Sequence, residues 1–157
     1  EAPIDAFGVG TQLSTSTDAP YLPMVYKLTT YEQGGATRYT IKLSEEKQTL
    51  PGLKQVYRHY DQQGFMERDT IAFQTEAAPE GDTPLIHTYL KSGQLVKAFP
   101  ELGDVRDNTL AGLARLPAGH KRLKPADPFP VQLSEAMAQT RTRLQQELTP
   151  HRPDPDQ

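Results

Sequence analysis

Proline and glycine interrupt this chain so often that only short helices and strands fit between them. The 157 residues include 14 Pro and 11 Gly. Proline removes a backbone hydrogen-bond donor and glycine favours turns, so both residue types end regular secondary structure. The sequence therefore predicts short elements with tight connections. The first is residues 4–9, an apolar run between turn formers that is typical of a buried strand.

Three pairs of β-rich segments follow, each with a turn sequence between its halves. The first pair surrounds EQGGA, whose Gly-Gly is favoured in hairpins, the second surrounds QQGFM, and the third turns at Ser92 and Gly93. The paired segments are residues 24–31 with 37–43, 54–61 with 67–74, and the two halves of 85–99. The sequence predicts six or seven strands with mostly short connections.

Two segments near the C-terminal end have helical periodicity instead. Residues 103–116 begin with Asp104 as the predicted N-cap. Residues 133–148 begin with Ser134 as the predicted N-cap and have Glu135 in the first turn, where the helix dipole favours a carboxylate. Each helix has an apolar face, formed by Val105, Leu110, Leu113 and Leu116 in the first and by Met137, Leu144 and Leu148 in the second. Hairpins followed by helices predict an α+β fold.

The near balance of charge and the absence of cysteine exclude several classes of function. With 17 basic and 20 acidic residues, the chain creates no field that would attract nucleic acid or an anionic membrane, so an anionic ligand needs a local site. Without Cys there are no disulfides, thiolate metal sites or Cys nucleophiles, which fits a reducing compartment. No apolar run approaches the roughly 20 residues that span a bilayer. We predict a cytoplasmic protein with no membrane or nucleic-acid partner.

The opening stretch FGVGT has the pattern expected of a local anion site. Its glycines allow a turn in which successive backbone amides point at one anion, such as a phosphate. The residues concerned are Gly8, Val9, Gly10 and Thr11. The dinucleotide fingerprint needs a third glycine where this chain has Leu13, and the P-loop needs Gly-Lys where it has Leu13 and Ser14. From the pattern alone, a glycine turn that only ends a strand stays an alternative.

Several motifs occur in the order that characterises one enzyme family. FGVGT is followed by VYKL at residues 25–28, KLSE at 42–45, PGLKQVYR at 51–58 and PVQLSE at 130–135. In this order the motifs resemble the C-terminal part of the nicotinate phosphoribosyltransferases. The resemblance extends over nearly the whole chain and is weakest in residues 76–128.

The resemblance implies the C-terminal part of a type II phosphoribosyltransferase, with the end of an irregular α/β barrel, a small β-rich domain and terminal helices. It implies four segments, which are a barrel strand with its phosphate-binding loop in residues 1–22, hairpins of the smaller domain in 23–99, a terminal helical segment in 100–150, and a disordered tail in 151–157. In this family the loop that Gly8, Val9, Gly10 and Thr11 match holds the 5-phosphate of phosphoribosyl pyrophosphate or of the mononucleotide product.

The implied reaction joins the pyridine nitrogen of nicotinate to C1 of the ribose, as pyrophosphate leaves. It belongs to NAD biosynthesis and is coupled to ATP hydrolysis, and Mg²⁺ would neutralise the departing pyrophosphate. The family's phosphorylated histidine and its nicotinate-orienting residues lie upstream, so we expect this chain to hold no catalytic residue, to need the N-terminal portion of the enzyme, and to form a homodimer. The alternatives are a nicotinamide or quinolinate phosphoribosyltransferase, and a non-enzymatic phosphate-binding module.

Further charged residues near the motifs have two interpretations each. Lys27 in VYKL is a candidate for the pyrophosphate or ATP side of the site, or else a lysine that faces solvent. Tyr57 and Tyr60 are interleaved with basic residues, and this pattern suits either nucleotide stacking or a solvated strand face. The basic residues are Lys47, Lys54 and Arg58. We expect the four histidines to be structural or solvated and no residue to be a metal ligand; the histidines are His59, His87, His120 and His151.

Overall fold

The computed structural model describes Gly10 and residues 25–44, 47–122 and 125–149. Within these residues it contains eight strands and two α-helices. The strands are β1 (Thr30–Gln33), β2 (Ala36–Tyr39), β3 (Lys54–Tyr60), β4 (Met66–Phe73), β5 (Thr83–Pro84), β6 (Leu90–Lys91), β7 (Gln94–Leu95) and β8 (Val131–Leu133), and the helices are α1 (Leu102–Arg115) and α2 (Glu135–Leu148). The strand predicted at residues 4–9 and the tail predicted at 151–157 lie outside the described residues.

A four-stranded sheet with the order β5-β3-β4-β8 forms the centre of the fold. The hairpin predicted around QQGFM is confirmed, because β3 and β4 pair antiparallel with Val56 opposite Ile71 and Tyr57 opposite Thr70. β8 joins the other edge of β4 in parallel, and β5 pairs antiparallel with β3. Neither of these strands was predicted, because two or three residues are too few to show a period. Together with the two helices, the sheets confirm the α+β class.

The two faces of this sheet have different environments. Tyr57, Thr70 and Ala72 share one face and are buried. α2 packs against β4 and buries Met137 completely and Leu144 almost completely. Val56 and Ile71 lie on the opposite face and are only partly buried. One face therefore belongs to the core. The other face also carries the buried Asp69 and Phe73 and is open around Val56 and Ile71.

The predicted N-cap of α2 is confirmed and takes part in a small polar network. Ser134 Oγ accepts a hydrogen bond from the backbone N–H of Met137 at 3.2 Å and donates one to Glu76 Oε1 at 2.8 Å. The same Glu76 oxygen accepts from the backbone N–H of Phe73 at 2.6 Å. The network connects the end of β4 to the start of α2. Leu148, predicted for the buried face of this helix, is instead 47% exposed because it lies at the helix end.

α1 differs from its prediction at its start and in its packing. Glu101 is its N-cap, and the first helical bond runs from the N–H of Val105 to the carbonyl of Glu101 at 3.0 Å. The prediction of Asp104 as N-cap is therefore wrong, since Asp104 lies inside the first turn. A carboxylate in this turn still interacts favourably with the helix dipole. No residue of α1 is buried, and Val105, Leu110 and Leu113 of its predicted apolar face are between 43% and 51% exposed, so this face does not pack into the core of the described residues.

The two other hairpins form at their predicted turns but are short. Gly34 and Gly35 have φ of 59° and 74° between β1 and β2, and Ser92 and Gly93 have φ of 49° and 75° between β6 and β7. Positive φ at both central residues is the requirement of a type I′ hairpin turn. The strands are shorter than predicted, and each hairpin forms a separate two-stranded sheet with no further strand among the described residues to extend it. No described helix is long and apolar enough to cross a membrane.

Candidate functional site

The open face of the central sheet forms the floor of a groove of about 620 Å³. Val56 and Ile71, which are paired across β3 and β4, form its apolar floor. We call it the motif groove and define it by six of its lining residues: Val25, Lys27, Gly52, Lys54, Val56 and Ile71. Six of the eleven described lining residues come from two sequence motifs, VYKL and PGLKQVYR, so segments more than twenty residues apart along the chain meet at one surface.

Reciprocal hydrogen bonds join Gly52 of PGLKQVYR to Thr29, the residue that follows VYKL. The N–H of Gly52 donates to the carbonyl of Thr29 at 2.9 Å, and Thr29 Oγ1 donates to the carbonyl of Gly52 at 3.2 Å. Gly52 has φ of 71°, which side chains other than glycine rarely adopt. A Cβ at this position would lie 2.7 Å from Phe73 Cε1 and 3.1 Å from Tyr39 Cε1. The glycine thus allows the turn to lie against the stacked rings of Tyr39 and Phe73.

Lys54 is held firmly at the wall of the motif groove. Its Nζ donates to the carbonyl of Leu50 at 2.9 Å and to the carbonyl of Gly52 at 2.6 Å. Partial burial lowers the pKa of Lys54 below its ordinary value, because desolvation penalises the ammonium form. The sequence suggested nucleotide stacking or a solvated strand face for this lysine, and the structure gives it neither environment.

Lys27 is exposed and lines the same groove. Among the described residues, no carboxylate lies within ion-pair distance of it. The six residues that define the motif groove include two lysines and no acid. An anion in the groove would therefore meet two positive charges and no described lining carboxylate.

Most of the predicted phosphate loop lies outside the described residues. Gly8, Val9 and Thr11 are among the residues of which nothing is described. Gly10 is described and exposed, and a Cβ at this position would meet no heavy atom of the other described residues within 4 Å. The role of these four residues in binding phosphate stays a prediction.

Arg58 has a structural role. Its Nε and Nη2 donate to the two carboxylate oxygens of Asp69 at 2.8 and 2.7 Å, and the hydrogen bond to Asp69 raises the pKa of Arg58. Its guanidinium carbon also lies 5.6 Å from the ring centroid of Phe129. Tyr57 is buried, and its hydroxyl donates to the carbonyl of Glu76 at 2.8 Å. The nucleotide-stacking hypothesis for Arg58 and Tyr57 is therefore wrong, because both side chains are used inside the fold.

The described histidines have local protein partners or face solvent. His59 bonds through Nδ1 to Asp82, whose carboxyl group is 1% exposed, and its Nε2 lies 3.4 Å from Glu67 Oε2. His120 Nδ1 lies 2.8 Å from the carbonyl oxygen of Asp127, and His87 is exposed. His151 lies outside the described residues. Within the part of the chain that the structure describes, no three His, Cys, Asp or Glu side chains form a group that could hold a metal ion.

The sequence pointed to Lys27 but missed other parts of the groove. Ile71 comes from β4 and Ile86 from the segment after β5, and both line it. Both look like ordinary core residues in the sequence, so no local pattern distinguishes them. Only the register of β3 with β4 brings Ile71 beside Val56.

Comparison with known proteins gives consistent matches along this chain. Residues 82–141 match the nicotinate phosphoribosyltransferase C-terminal domain. The chain is 31% identical to nicotinate phosphoribosyltransferase of Bacillus subtilis, over 94% of this chain and 36% of the relative. It is 35% identical to nicotinate phosphoribosyltransferase pncB2 of Mycobacterium tuberculosis, over 90% of this chain and 30% of the relative. The chain thus spans about a third of the length of these relatives.

A solved structure shares the fold. The crystal structure of human nicotinic acid phosphoribosyltransferase matches with a TM-score of 0.58 and 24% identity, over 71% of this chain and 27% of the human chain. The family match at residues 82–141 includes most of residues 76–128, where the motif resemblance is weakest. The match therefore supports the resemblance mainly through residues outside the quoted motifs. The similarity predicted from the motifs is confirmed.

Proposed function

We propose that this chain, which matches the C-terminal portion of the nicotinate phosphoribosyltransferase family, serves in an enzyme that makes nicotinate mononucleotide from nicotinate and phosphoribosyl pyrophosphate with coupled ATP hydrolysis. The observation that carries the proposal is the convergence of VYKL and PGLKQVYR on one groove, in a chain whose relatives bear this enzyme's name. Motifs that are distant in sequence and adjacent in space are expected where residues act together.

The proposed reaction replaces one bond at the ribose with another. The pyridine nitrogen of nicotinate forms a bond to C1 while the bond from C1 to the pyrophosphate oxygen breaks, and pyrophosphate leaves with the electron pair. Positive charge builds up on the sugar and negative charge on the leaving group, so preorganised donors and cations near the phosphates lower the barrier. We propose that Gly8, Val9, Gly10 and Thr11 bind the 5-phosphate through backbone amides and that Lys27 acts on the pyrophosphate or ATP side.

Mg²⁺ is the cofactor that the resemblance implies. The described residues offer no group of three carboxylate or histidine ligands, and the residues that define the motif groove include no carboxylate. These residues do not fit a resident metal ion, so we assign no step on this chain to Mg²⁺.

The rest of the enzyme is the proposed partner of this chain. The relatives are about three times as long, and the nicotinate-binding residues and the phosphorylated histidine are expected upstream. Apolar side chains exposed on α1 give such a partner a surface to cover. The homodimer and the cytoplasmic location expected from the sequence stay proposals.

A product assay tests the proposal. The natural protein that contains this sequence, and residues 1–157 alone, are each given nicotinate, phosphoribosyl pyrophosphate, ATP and Mg²⁺, and nicotinate mononucleotide is followed by chromatography. We expect product from the natural protein and none from this chain alone. Absence of product from the natural protein would overturn the assignment, and the same assay with nicotinamide and quinolinate then identifies a different pyridine substrate.

Gly10→Val in the natural protein tests the phosphate loop. A Cβ at Gly10 meets no heavy atom of the described residues within 4 Å, so the substitution is not expected to disturb the part of the fold that the structure describes. We expect a large rise in the KM for phosphoribosyl pyrophosphate with little change in the KM for nicotinate. Gly103→Ala is the matched control, because Gly103 is exposed on α1 and also has no heavy atom within 4 Å of a built Cβ. Unchanged kinetics in Gly10→Val would remove the loop from the mechanism.

A further inference from the structure

Lys54 is a partly buried cation without a described acidic partner. An ammonium group has three N–H donors, and two of them are directed to the carbonyls of Leu50 and Gly52. No described carboxylate lies within ion-pair distance of it. Desolvation without a counterion makes the charged form costly, and an anion placed beside it offsets that cost.

The position of Lys54 is fixed before any ligand arrives. Its two carbonyl acceptors belong to the turn that precedes β3, and Gly52 of that turn is bonded in both directions to Thr29. A cation held in this way loses little freedom on binding, which makes its contribution larger than that of a mobile surface lysine. Lys27 lines the same groove and has no described ion pair, so it is available to the same anion.

Most of the remaining groove lining is apolar, and Thr29 and Thr49 are its polar members. Val56 and Ile71 form the floor, and Val25, Leu53 and Ile86 line it with 75%, 64% and 48% of their surface exposed. A free inorganic anion would leave these side chains in water. A ligand that carries both an anionic group and a flat apolar body would cover them and also reach the two lysines.

We propose that the motif groove binds the phosphate chain of a nucleotide or phosphoribosyl ligand, with Lys54 as the fixed cation, Lys27 as the second cation, and Val56 and Ile71 beneath the ligand's body. The inference rests on the proposed function for the choice of ligands, and it adds Lys54 and the apolar floor to the site. The ligand chemistry is a phosphate chain on an organic body. ATP has both parts, and phosphoribosyl pyrophosphate has the pyrophosphate without a flat apolar body. Nicotinate mononucleotide, whose single phosphate is assigned to the loop of residues 8–11, is the comparison without a phosphate chain.

Calorimetric titration of the natural protein distinguishes these ligands. ATP, phosphoribosyl pyrophosphate, nicotinate mononucleotide and inorganic pyrophosphate are titrated separately into the wild type, Lys27→Met, Lys54→Met and Lys54→Arg. For the ligand that occupies the groove we expect the Kd to rise about tenfold in each Met variant, the size of one lost charge-assisted hydrogen bond. Lys54→Arg retains the charge and is expected to retain part of the affinity.

Lys91→Met is the matched control, because Lys91 is exposed on β6 and does not line the groove. Its Kd values are expected to equal those of the wild type. Lys54→Met removes two bonds to the turn and can affect folding, whereas Lys27 makes no described side-chain bond, so Lys27→Met tests the charge alone. Kd values within twofold of the wild type for all four ligands in Lys27→Met would overturn the proposal.

The product assay separates this inference from the proposed function. If the wild type makes nicotinate mononucleotide and the lysine variants bind every ligand normally, the groove proposal fails alone. If the wild type makes no product but the lysines still control binding, the proposed function fails and the groove remains a phosphate site. Binding of inorganic pyrophosphate as tight as that of every organic ligand would overturn the role of the apolar floor.

Discussion

At the scale of single residues, the turn PGLK, residues 51–54, needs glycine at position 52 and lysine at position 54. Gly52 brings the backbone against Tyr39 and Phe73, and Lys54 ties the turn together through two carbonyl groups. Both residues also line the motif groove. Fold and proposed binding therefore depend on the same four-residue turn.

Gly52→Ala is expected to destabilise the chain by about 2–5 kcal/mol. A left-handed backbone costs a non-glycine residue about 1–2 kcal/mol, and overpacking adds about 1–3 kcal/mol, since the new Cβ would lie 2.7 Å from Phe73 Cε1. The measurement is the free energy of unfolding in urea. We expect Gly52→Ala also to disrupt the stacking of Tyr39 on Phe73, which is visible as a change in the near-ultraviolet circular dichroism.

Gly93→Ala separates the two causes. Gly93 has φ of 75°, close to the 71° of Gly52, but a Cβ there has no heavy atom within 4 Å. Gly93→Ala should therefore cost only the backbone strain of about 1–2 kcal/mol. Equal losses in the two variants would contradict the close approach at Gly52.

At the scale of elements, α1 and α2 show how similar helical patterns lead to different packing. Both helices have 14 residues and an apolar face. α2 follows β8 directly, packs against β4 and buries two residues. α1 has no buried residue and is tied to the sheet at its last turn, where Arg115 Nε donates to the carbonyl of Gly64 at 2.8 Å and the guanidinium lies 3.7 Å from the ring centroid of Tyr60.

Ser134→Ala is expected to destabilise the chain by about 1–2 kcal/mol. Loss of an N-cap typically costs about 1 kcal/mol, and the partly buried Glu76 also loses one of its two hydrogen-bond donors. The expected readouts are a lower urea midpoint and faster amide exchange in the first turn of α2. Thr142→Ala is the control in the same helix, because its hydroxyl makes only an exposed bond to Ala138. A midpoint shift no larger than that of Thr142→Ala would contradict the capping role.

At the scale of the whole molecule, the chain exposes more apolar surface than a self-sufficient domain needs. Leu102, Val105, Leu110 and Leu113 of α1 are between 43% and 83% exposed. A 14-residue helix without a packed face is marginal in water, so its stability is expected to depend on a covering surface. The length of the relatives, about three times that of this chain, is consistent with such a cover.

Residues 1–157 alone are therefore expected to bind a fluorescent apolar dye, and the natural protein to bind much less of it. Leu102→Gln with Leu113→Gln should reduce the dye signal of the isolated chain while changing its stability by no more than about 0.5 kcal/mol, as is usual for exposed positions. Arg106→Gln, on the same helix, is the control and should leave the signal unchanged. A cooperative monomeric unfolding transition without dye binding would contradict the prediction.

The sequence by itself determined the local features of this protein, because they depend on residues close together in the chain. Gly34-Gly35 and Ser92-Gly93 determined two turns through backbone conformation, and β-rich segments on either side of QQGFM predicted β3 and β4. Ser134 determined the start of α2. The ordered motifs also indicated the similarity to the nicotinate phosphoribosyltransferases that the comparisons confirm. These signals need no knowledge of the tertiary structure.

Only the tertiary structure decided which distant residues come into contact. β5 and β8 are too short to have a period, and they form only because β3 and β4 offer free edges. The pairing of Arg58 with Asp69 and of Val56 with Ile71 depends on strand register, which joins residues 11 and 15 positions apart in the chain. The apolar face of α1 is visible in the sequence, but whether it is covered depends on which surfaces come near it in three dimensions.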